Sequence, residues 1–106
     1  DLLASKELYI AKYYVKKEKW IPAINRLKNI TLNYDTTIYA PEALHRLVEV
    51  HYKIGLLEEA KKYASILGYN YLSDEWYARS YNVFNKTVNK KSEKTSILKE
   101  LIQILD

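Results

Sequence analysis

Glu42, His45 and Glu49 are the residues whose spacing comes nearest to a chemical site. They are separated as i, i+3 and i+7, which brings all three to one face of a helix where they could bind a cation weakly. The other histidine, His51, lies six residues from His45 and points in a different direction, so the two cannot share a metal. A polar stripe facing solvent or a partner protein is the commoner use of such a face. We therefore predict no metal site and no cofactor.

Catalytic motifs are missing from the sequence. Covalent catalysis needs a nucleophile, a base and an oxyanion stabiliser within mutual reach, but the chain has neither a glycine-rich phosphate loop nor a serine elbow motif. It also has no cysteine, which excludes disulfides, zinc thiolate sites and cysteine nucleophiles. We predict a protein that is not an enzyme and has no catalytic residues.

Asn25, Arg26 and Asn29 form a second polar group, which favours protein recognition. They lie on a predicted helix that begins near Trp20, away from its apolar stripe. Arginine is a favoured interface anchor because its planar fork bonds carboxylates bidentately and its stem buries apolar area. An arginine on a helix surface is nevertheless more often simply solvated, so the spacing alone leaves both interpretations open.

Two helical hairpins are predicted to position these groups. The first joins helices over about residues 2–17 and 20–33, and the second joins helices over about residues 41–54 and 57–67. The apolar stripe of the first hairpin's second helix recurs 37 residues later, near the period of about 34 residues typical of tetratricopeptide repeats. The recurring residues are Ala23, Leu27 and Ile30, matched by Ala60, Ala64 and Leu67; in the first helix Leu3, Ile10, Ala11 and Tyr14 are expected to face inward.

Prolines, glycines and short polar segments mark the predicted helix ends. Pro22 and Pro41 fall in first turns, where a missing amide hydrogen costs nothing. Gly55 suits the left-handed position just past a helix C-terminus, and Gly68 is expected to end the fourth helix. Residues 35–37, Asp-Thr-Thr, are expected to supply a linker and capping groups before the third helix.

The last third of the chain divides into an aromatic helix and a tail. A Ser-Asp-Glu cap at residues 73–75 precedes a broad aromatic face, which predicts a capping helix for a solenoid or, alternatively, a ligand-binding patch. Residues 86–95 are a polar link, and residues 97–105 carry an amphipathic stripe. The aromatic face comprises Trp76, Tyr77, Ser80, Tyr81 and Phe84, and the tail stripe comprises Ile97, Leu98, Leu101, Ile102 and Leu105.

The predicted fold class is therefore all-α. We expect an α-solenoid of two tetratricopeptide-type hairpins plus a C-terminal capping helix over residues 1–85, followed by the polar link and an amphipathic tail helix over residues 86–106. No segment alternates strictly enough to predict a strand.

Composition narrows the possible partners. The net charge is +4, but the 17 basic residues are dispersed, so no nucleic-acid partner is predicted. No apolar run approaches the roughly 20 residues that span a bilayer, and no signal peptide is visible. The first six residues read as helix interior, so we expect the sequence to begin within a longer protein, where a leader or anchor could precede it.

Several segments resemble the BamD outer-membrane lipoprotein family in order and spacing. The resemblance covers about residues 3–84 and not the tail. It departs from the family pattern at two loop positions, where Glu18 replaces the usual glycine and Asp35 the usual proline. Residues 7–14 (ELYIAKYY), 20–27 (WIPAINRL) and 33–36 (NYDT) resemble the family's fourth repeat, residues 41–49 (PEALHRLVE) and 55–64 (GLLEEAKKYA) its fifth, and residues 68–71 and 75–77 its closing segment.

The resemblance implies a non-catalytic scaffold at the periplasmic face of the outer membrane. It implies a BamA-like POTRA domain as partner, with Arg26 against an acidic residue there, other assembly-complex lipoproteins as neighbours, and a lipid anchor outside this sequence. Two alternatives remain open: a generic tetratricopeptide adaptor binding extended peptides in its concave groove, and a homo-oligomer formed by exchange of the tail stripe at residues 97–105.

Overall fold

A computed structural model describes residues 1–85 and residue 103, and the chain is helical over most of this part. Four helices are α1 (Leu2–Lys16), α2 (Trp20–Asn33), α3 (Tyr39–Lys53) and α4 (Leu57–Asn70). A fifth, α5, covers residues 75–85. The all-α, tetratricopeptide-like fold is confirmed, with no strand among the described residues. The predicted link and tail helix lie outside them, except that Gln103 is helical and exposed.

The helices pack as two consecutive hairpins. α1 packs against α2 and α3 against α4, while α2 also packs against α3 and so joins the two units. Tyr71 at the end of α4 donates a hydrogen bond from its hydroxyl to the Asp35 carbonyl oxygen, at 3.0 Å, across this junction. Among the described helices, none is long and apolar enough to cross a membrane.

The repeated apolar stripe forms the core. Ala23 and Ala60 are fully buried at the same position of their hairpins, and so are Leu27, Ile30 and Leu67. Ala64 is only partly buried. Small side chains at the two alanine positions let the helix axes approach closely, as the repeat pattern predicted.

The expected inward face of α1 is partly wrong. The buried residues of this helix are Ala4, Leu8 and Ala11, whereas Leu3 is 61% exposed and Ile10 and Tyr14 are only partly covered. The buried stripe is spaced i, i+4 and i+7, about one residue round the helix from the predicted one. The prediction favoured the larger apolar side chains, whereas close contact with α2 requires alanine on the buried face of α1.

The two hairpin turns use left-handed backbone differently. Gly55 has φ of 87°, which confirms its predicted position just past α3. Glu18, in the corresponding turn after α1, has φ of 58° and is the described chain's only non-glycine residue with positive φ. Glu18 therefore holds a backbone conformation that glycine adopts freely and that other side chains disfavour.

Gly68 does not end α4, contrary to the prediction, because the helix continues through Asn70. Its role is a close approach between helices. A Cβ atom at this position would lie 2.6 Å from Cε1 of Tyr77 in α5. Glycine is therefore needed here for space and not for a turn.

Residues 35–37 provide the predicted linker but not the predicted cap. The N-cap position of α3 is Ile38, which makes no side-chain capping bond. Thr37 instead donates its hydroxyl to the carbonyl oxygen of Tyr34, at 2.7 Å, and so closes the linker on the α2 side. The cap predicted before α5 is confirmed, since Asp74 Oδ1 accepts from the Trp76 amide at 2.9 Å.

α5 covers the end of the second hairpin, as predicted for a capping helix. Trp76, Tyr77 and Phe84 pack against the core, and Ser80 is fully buried. Tyr81 is different, because 57% of it remains exposed. The aromatic face is thus wider than the surface that it covers among the described residues.

Candidate partner-binding surface

Arg26 is anchored across the first hairpin. Its Nη1 lies 2.5 Å from Oε1 of Glu7 in α1, and the side chains of Arg26 and Glu7 are 42% and 17% exposed. This ion pair joins the guanidinium on α2 to the carboxylate on α1. An arginine carries five N–H donors in a fixed fork, so one bond leaves others to point outward.

Asn29 converges on the same carboxylate, while Asn25 does not. The Nδ2 of Asn29 donates to Oε2 of Glu7 at 3.1 Å, and its Oδ1 accepts from Nδ2 of Asn33 at 2.5 Å. Asn25 is exposed and lies one helical turn before Asn29. The three predicted residues therefore form one ordered pair, Arg26 and Asn29, plus a separate solvent-facing amide.

Glu7 was not predicted as part of this group, although the sequence carries a signal for it. In an antiparallel hairpin that turns at Glu18, residues equally far from the turn face each other. Glu7 and Asn29 are each eleven positions from Glu18, and Arg26 lies one turn of helix before Asn29. Matching residues at equal distances from the turn would therefore have identified Glu7 as the carboxylate that bonds Arg26.

A second polar network joins the first helices of the two hairpins. Lys12 of α1 lies 2.5 Å from Oε2 of Glu42 in α3. Arg46 contacts the same carboxylate oxygen at 3.4 Å and Oε1 of Glu49 at 2.9 Å. Basic and acidic side chains thus alternate from α1 along α3. We call Lys12, Glu42, Arg46 and Glu49 the ionic row.

His45 connects the ionic row to α5 and is buried. The prediction that the stripe of Glu42, His45 and Glu49 faces solvent or a partner is therefore wrong for His45. Its Nε2 lies 3.1 Å from Oε1 of Glu49 and its Nδ1 lies 2.7 Å from the Ser80 hydroxyl. A carboxylate only accepts, so Nε2 carries a hydrogen and donates it to Glu49. The hydrogen bond from His45 lowers the pKa of Glu49, aided by Arg46 and opposed by partial burial.

This network has the residue types of a catalytic triad but not its accessibility. Ser80 is fully buried, so no substrate reaches its hydroxyl. The carboxylates that could have bound a cation are held by Lys12, Arg46 and His45. Within the described residues, no three His, Cys, Asp or Glu side chains are grouped to hold a metal ion. The arrangement fixes α5 on α3.

His51 faces a different element, as predicted. Its Nδ1 donates to the Leu47 carbonyl oxygen at 2.7 Å, and its ring centroid lies 5.2 Å from that of Tyr63 in α4. His45 therefore serves the α3–α5 contact and His51 the α3–α4 contact. Both are satisfied structural histidines.

The Trp76 ring contacts two arginines, Arg79 of α5 and Arg46 of the ionic row. The guanidinium carbons of Arg79 and Arg46 lie 4.4 Å and 5.3 Å from the Trp76 ring, and the His45 ring lies 5.2 Å from it. Cation–π contacts at partly exposed sites contribute about 0.5–1 kcal/mol each. The Arg46 contact joins α3 to α5 and so stabilises the position of α5.

Paired helices with a repeated small-residue seam, capped by one further helix, define a helical-repeat protein of tetratricopeptide type. Comparison with known proteins narrows this class. A family described as YfiO, outer membrane lipoprotein, matches residues 1–67. The chain is 46% identical over 89 residues to outer membrane protein assembly factor BamD of Rickettsia prowazekii, covering 84% of this chain and 36% of that relative.

Further relatives carry the same name. The BamD of Caulobacter vibrioides is 45% identical over 85 residues, covering 80% of this chain and 28% of the relative. The BamD of Haemophilus influenzae is 34% identical over 70 residues, covering 66% and 27%. The chain belongs to the BamD family of outer membrane lipoproteins. It spans about a third of the length of these relatives.

Proposed function

We propose that this chain is a non-catalytic protein-interaction scaffold within the machinery that assembles outer-membrane β-barrel proteins, and that it docks the periplasmic POTRA region of a BamA-like partner. Membership of a family of outer membrane protein assembly factors supports the coarser part of this proposal. The observation that carries the finer part is Arg26, half exposed and held in one orientation by Glu7.

The geometry suits a docking residue because Arg26 needs little reordering. A long side chain normally loses rotamer freedom when it binds, at a cost of about 0.5–1.5 kcal/mol. The Glu7 contact has already ordered this one. Its remaining donors bond an acidic residue of the partner, and Asn29 fixes the other oxygen of Glu7 so that the carboxylate does not turn away.

Reversing the charge of Arg26 tests the proposal. We expect Arg26→Glu to weaken binding to a BamA-like periplasmic region at least tenfold, because removing one partner of a buried interfacial charge pair costs about 2–5 kcal/mol. Titration by calorimetry or interferometry measures the change in Kd. Arg79→Glu is the matched control, since Arg79 is a half-exposed arginine on α5.

Because Arg26→Glu also places two acids side by side across the hairpin, Arg26→Gln is measured with it. This neutral variant keeps an amide donor for Glu7, and its unfolding midpoint shows whether the hairpin is intact. An unchanged affinity in both variants, with folding preserved, would remove Arg26 from the interface.

The proposed location follows from the family and not from these helices. We infer that the longer protein sits at the periplasmic face of the outer membrane through a lipid anchor outside this sequence, beside other lipoproteins of the complex. Release of the longer protein from membranes by salt wash alone, without detergent, would contradict a lipid anchor.

A peptide-binding adaptor is the second candidate, and one groove favours it. The groove lies between α2 and α4, over α3, with a volume of about 710 Å³, an apolar floor that includes Leu44, Tyr63 and Ile66, and Lys28 and Lys62 among its lining residues. An extended peptide would use it. If a short peptide displaces the folded POTRA region, this candidate replaces the docking proposal.

A further inference from the structure

The groove between α2 and α4 has two chemically different ends. The hydrogen bond from Tyr71 to the Asp35 carbonyl oxygen brings the C-terminal ends of α2 and α4 together, so these two helices run in the same direction. Lys28 precedes Asp35 by seven residues, and Lys62 precedes Tyr71 by nine. Both lysines line the groove, and so does Asp35. The groove is therefore basic at the end away from the hydrogen bond and acidic near it.

Each of the two helices carries a large aliphatic side chain one turn beyond its lysine. Leu32 follows Lys28 by four residues on α2, and Ile66 follows Lys62 by four on α4. Both aliphatic side chains line the groove. Leu32 is 77% exposed, so contact with an apolar side chain of a ligand would remove its surface from water, which is favourable.

The two lysines are available to a ligand. Both are exposed, and within residues 1–85 neither forms an ion pair with a carboxylate. The Lys62 ammonium lies 5.5 Å from the ring centroid of Tyr63, which also lines the groove. A carboxylate between the lysines would accept hydrogen bonds from two cations, and such charge-assisted bonds are the stronger kind.

The acidic end of the groove limits what the ligand can be. Asp35 would repel a second negative charge placed beside it, so a chain that is anionic along its whole length, such as a nucleic acid, is disfavoured. The apolar floor disfavours it as well, because phosphates would lose water without gaining partners. The ligand that fits has one negative group and, beside it, one large apolar group.

The helical turn between the lysines and the aliphatic side chains determines the spacing of these two groups. Four residues of α-helix rise about 6 Å, and two residues of an extended chain span about 6.6 Å. Side chains two residues apart in an extended chain also point to the same face. An acidic and an apolar side chain separated by one residue would therefore reach both parts of the groove.

We propose that this groove binds an extended protein segment in which an acidic residue and a large apolar residue are separated by one other residue. The acidic side chain lies between Lys28 and Lys62, and the apolar side chain lies against Leu32 and Ile66. The inference rests on the peptide-adaptor candidate in using the same groove, and it names the class of peptide. It does not involve Arg26, which is not among the residues that line the groove.

NMR titration of the ¹⁵N-labelled chain with three blocked peptides tests the motif. The probe is acetyl-Ser-Asp-Ser-Phe-Ser-amide, which carries a single carboxylate, and we expect it to shift the backbone amides of α2 and α4 that border the groove. Replacing its Asp by Asn should raise Kd about tenfold, because the charge-assisted bonds are lost. The spacing control is acetyl-Ser-Asp-Phe-Ser-Ser-amide, and a similar rise of about tenfold is expected because its two groups point to opposite faces.

Variants of the chain test the assigned contacts. We expect Lys28→Gln and Lys62→Gln each to raise the Kd of the probe about threefold, and together about tenfold. Lys61→Gln is the matched control, since Lys61 neighbours Lys62 on α4 but lines a different groove. Leu32→Ser should weaken binding about fivefold, whereas Ile21→Ser, at a 69% exposed position of the same helix, should not.

The possible results separate this inference from the earlier proposals. No shifts at peptide concentrations up to about 1 mM would overturn both the inference and the peptide-adaptor candidate. Equal Kd values for the three peptides, or no effect of the lysine changes, would overturn the inference alone. The same amides shifting with protein concentration, together with a dimer in light scattering, would overturn it in favour of a second copy as the occupant. Arg26→Gln should leave the Kd of the probe unchanged, so the docking proposal stands or falls separately.

Discussion

A few polar side chains determine how the helices are held together. Arg26 and His45 are both polar residues on helices, yet one is half exposed and the other is buried. Their partners explain the difference. Glu7 holds Arg26 at a seam open to solvent, whereas His45 lies between Glu49 and the fully buried Ser80.

The Glu49 carboxylate should make stability depend on pH. Its pKa is lowered below the ordinary value of 4.5, first by the His45 hydrogen bond. A lowered acid pKa means that the ionised form stabilises the fold above the ordinary value, and that this contribution is lost as pH falls through the lowered one.

We therefore expect wild type to exceed Glu49→Gln in free energy of unfolding at pH 6 by under about 1 kcal/mol, because the side chain is 43% exposed and solvent screens it. The difference should vanish in acid below the lowered pKa. Urea denaturation at several pH values measures it. Glu58→Gln is the control, since Glu58 is 90% exposed, and a constant difference across the pH range would contradict the assignment.

Glu18 offers a stabilising substitution. Its φ of 58° costs a non-glycine residue roughly 1–2 kcal/mol, which glycine avoids. Against this, glycine gains more freedom in the unfolded chain, worth about 0.4–1 kcal/mol. We expect Glu18→Gly to raise the unfolding free energy by about 0.5–1 kcal/mol, the difference between these terms.

The adjacent Lys17 is the control for that change, since its φ is −86° and glycine relieves nothing there. Lys17→Gly should lower stability. If both glycine variants behave alike in thermal unfolding, the left-handed conformation at Glu18 does not matter energetically.

At the scale of elements, helix order and pairing could be predicted from the sequence because apolar period and turn residues act locally. The stripe containing Ala23 and Ala60 located α2 and α4 without any knowledge of contacts. The inward face of α1 was misassigned, since Leu3 is more apolar than Ala4 and only the α2 partner decides between them. The site is harder still: Asn25, Arg26 and Asn29 share a helix, but Glu7 joins them only through the hairpin turn.

Gly68 shows the same limit at the α4–α5 contact. The sequence around this glycine predicts a helix end. In the structure the glycine instead makes room for the ring of Tyr77, nine residues later. We expect Gly68→Ala to destabilise the protein, because forcing the Tyr77 ring aside costs about 1–3 kcal/mol, more than the gain in helix propensity of about 0.5–1 kcal/mol.

A double-mutant cycle isolates that contact. In a Tyr77→Ala background the obstacle is gone, so the same Gly68→Ala change should stabilise by about 0.5–1 kcal/mol. Chemical denaturation of the four proteins gives the coupling energy. Equal effects in both backgrounds would mean that the ring moves away without cost.

At the scale of the whole molecule, the ionic row is a charged surface that does not attract a partner from a distance. Lys12, Glu42, Arg46 and Glu49 alternate in sign within a few ångströms, so their fields cancel beyond roughly a Debye length, about 8 Å at physiological salt. The electrostatic field of the net charge of +4 therefore arises from residues outside the ionic row. Long-range steering toward an acidic partner would come from lysines outside this row. The association rate constant would then fall as ionic strength rises, although the close ion pairs of the row would change little.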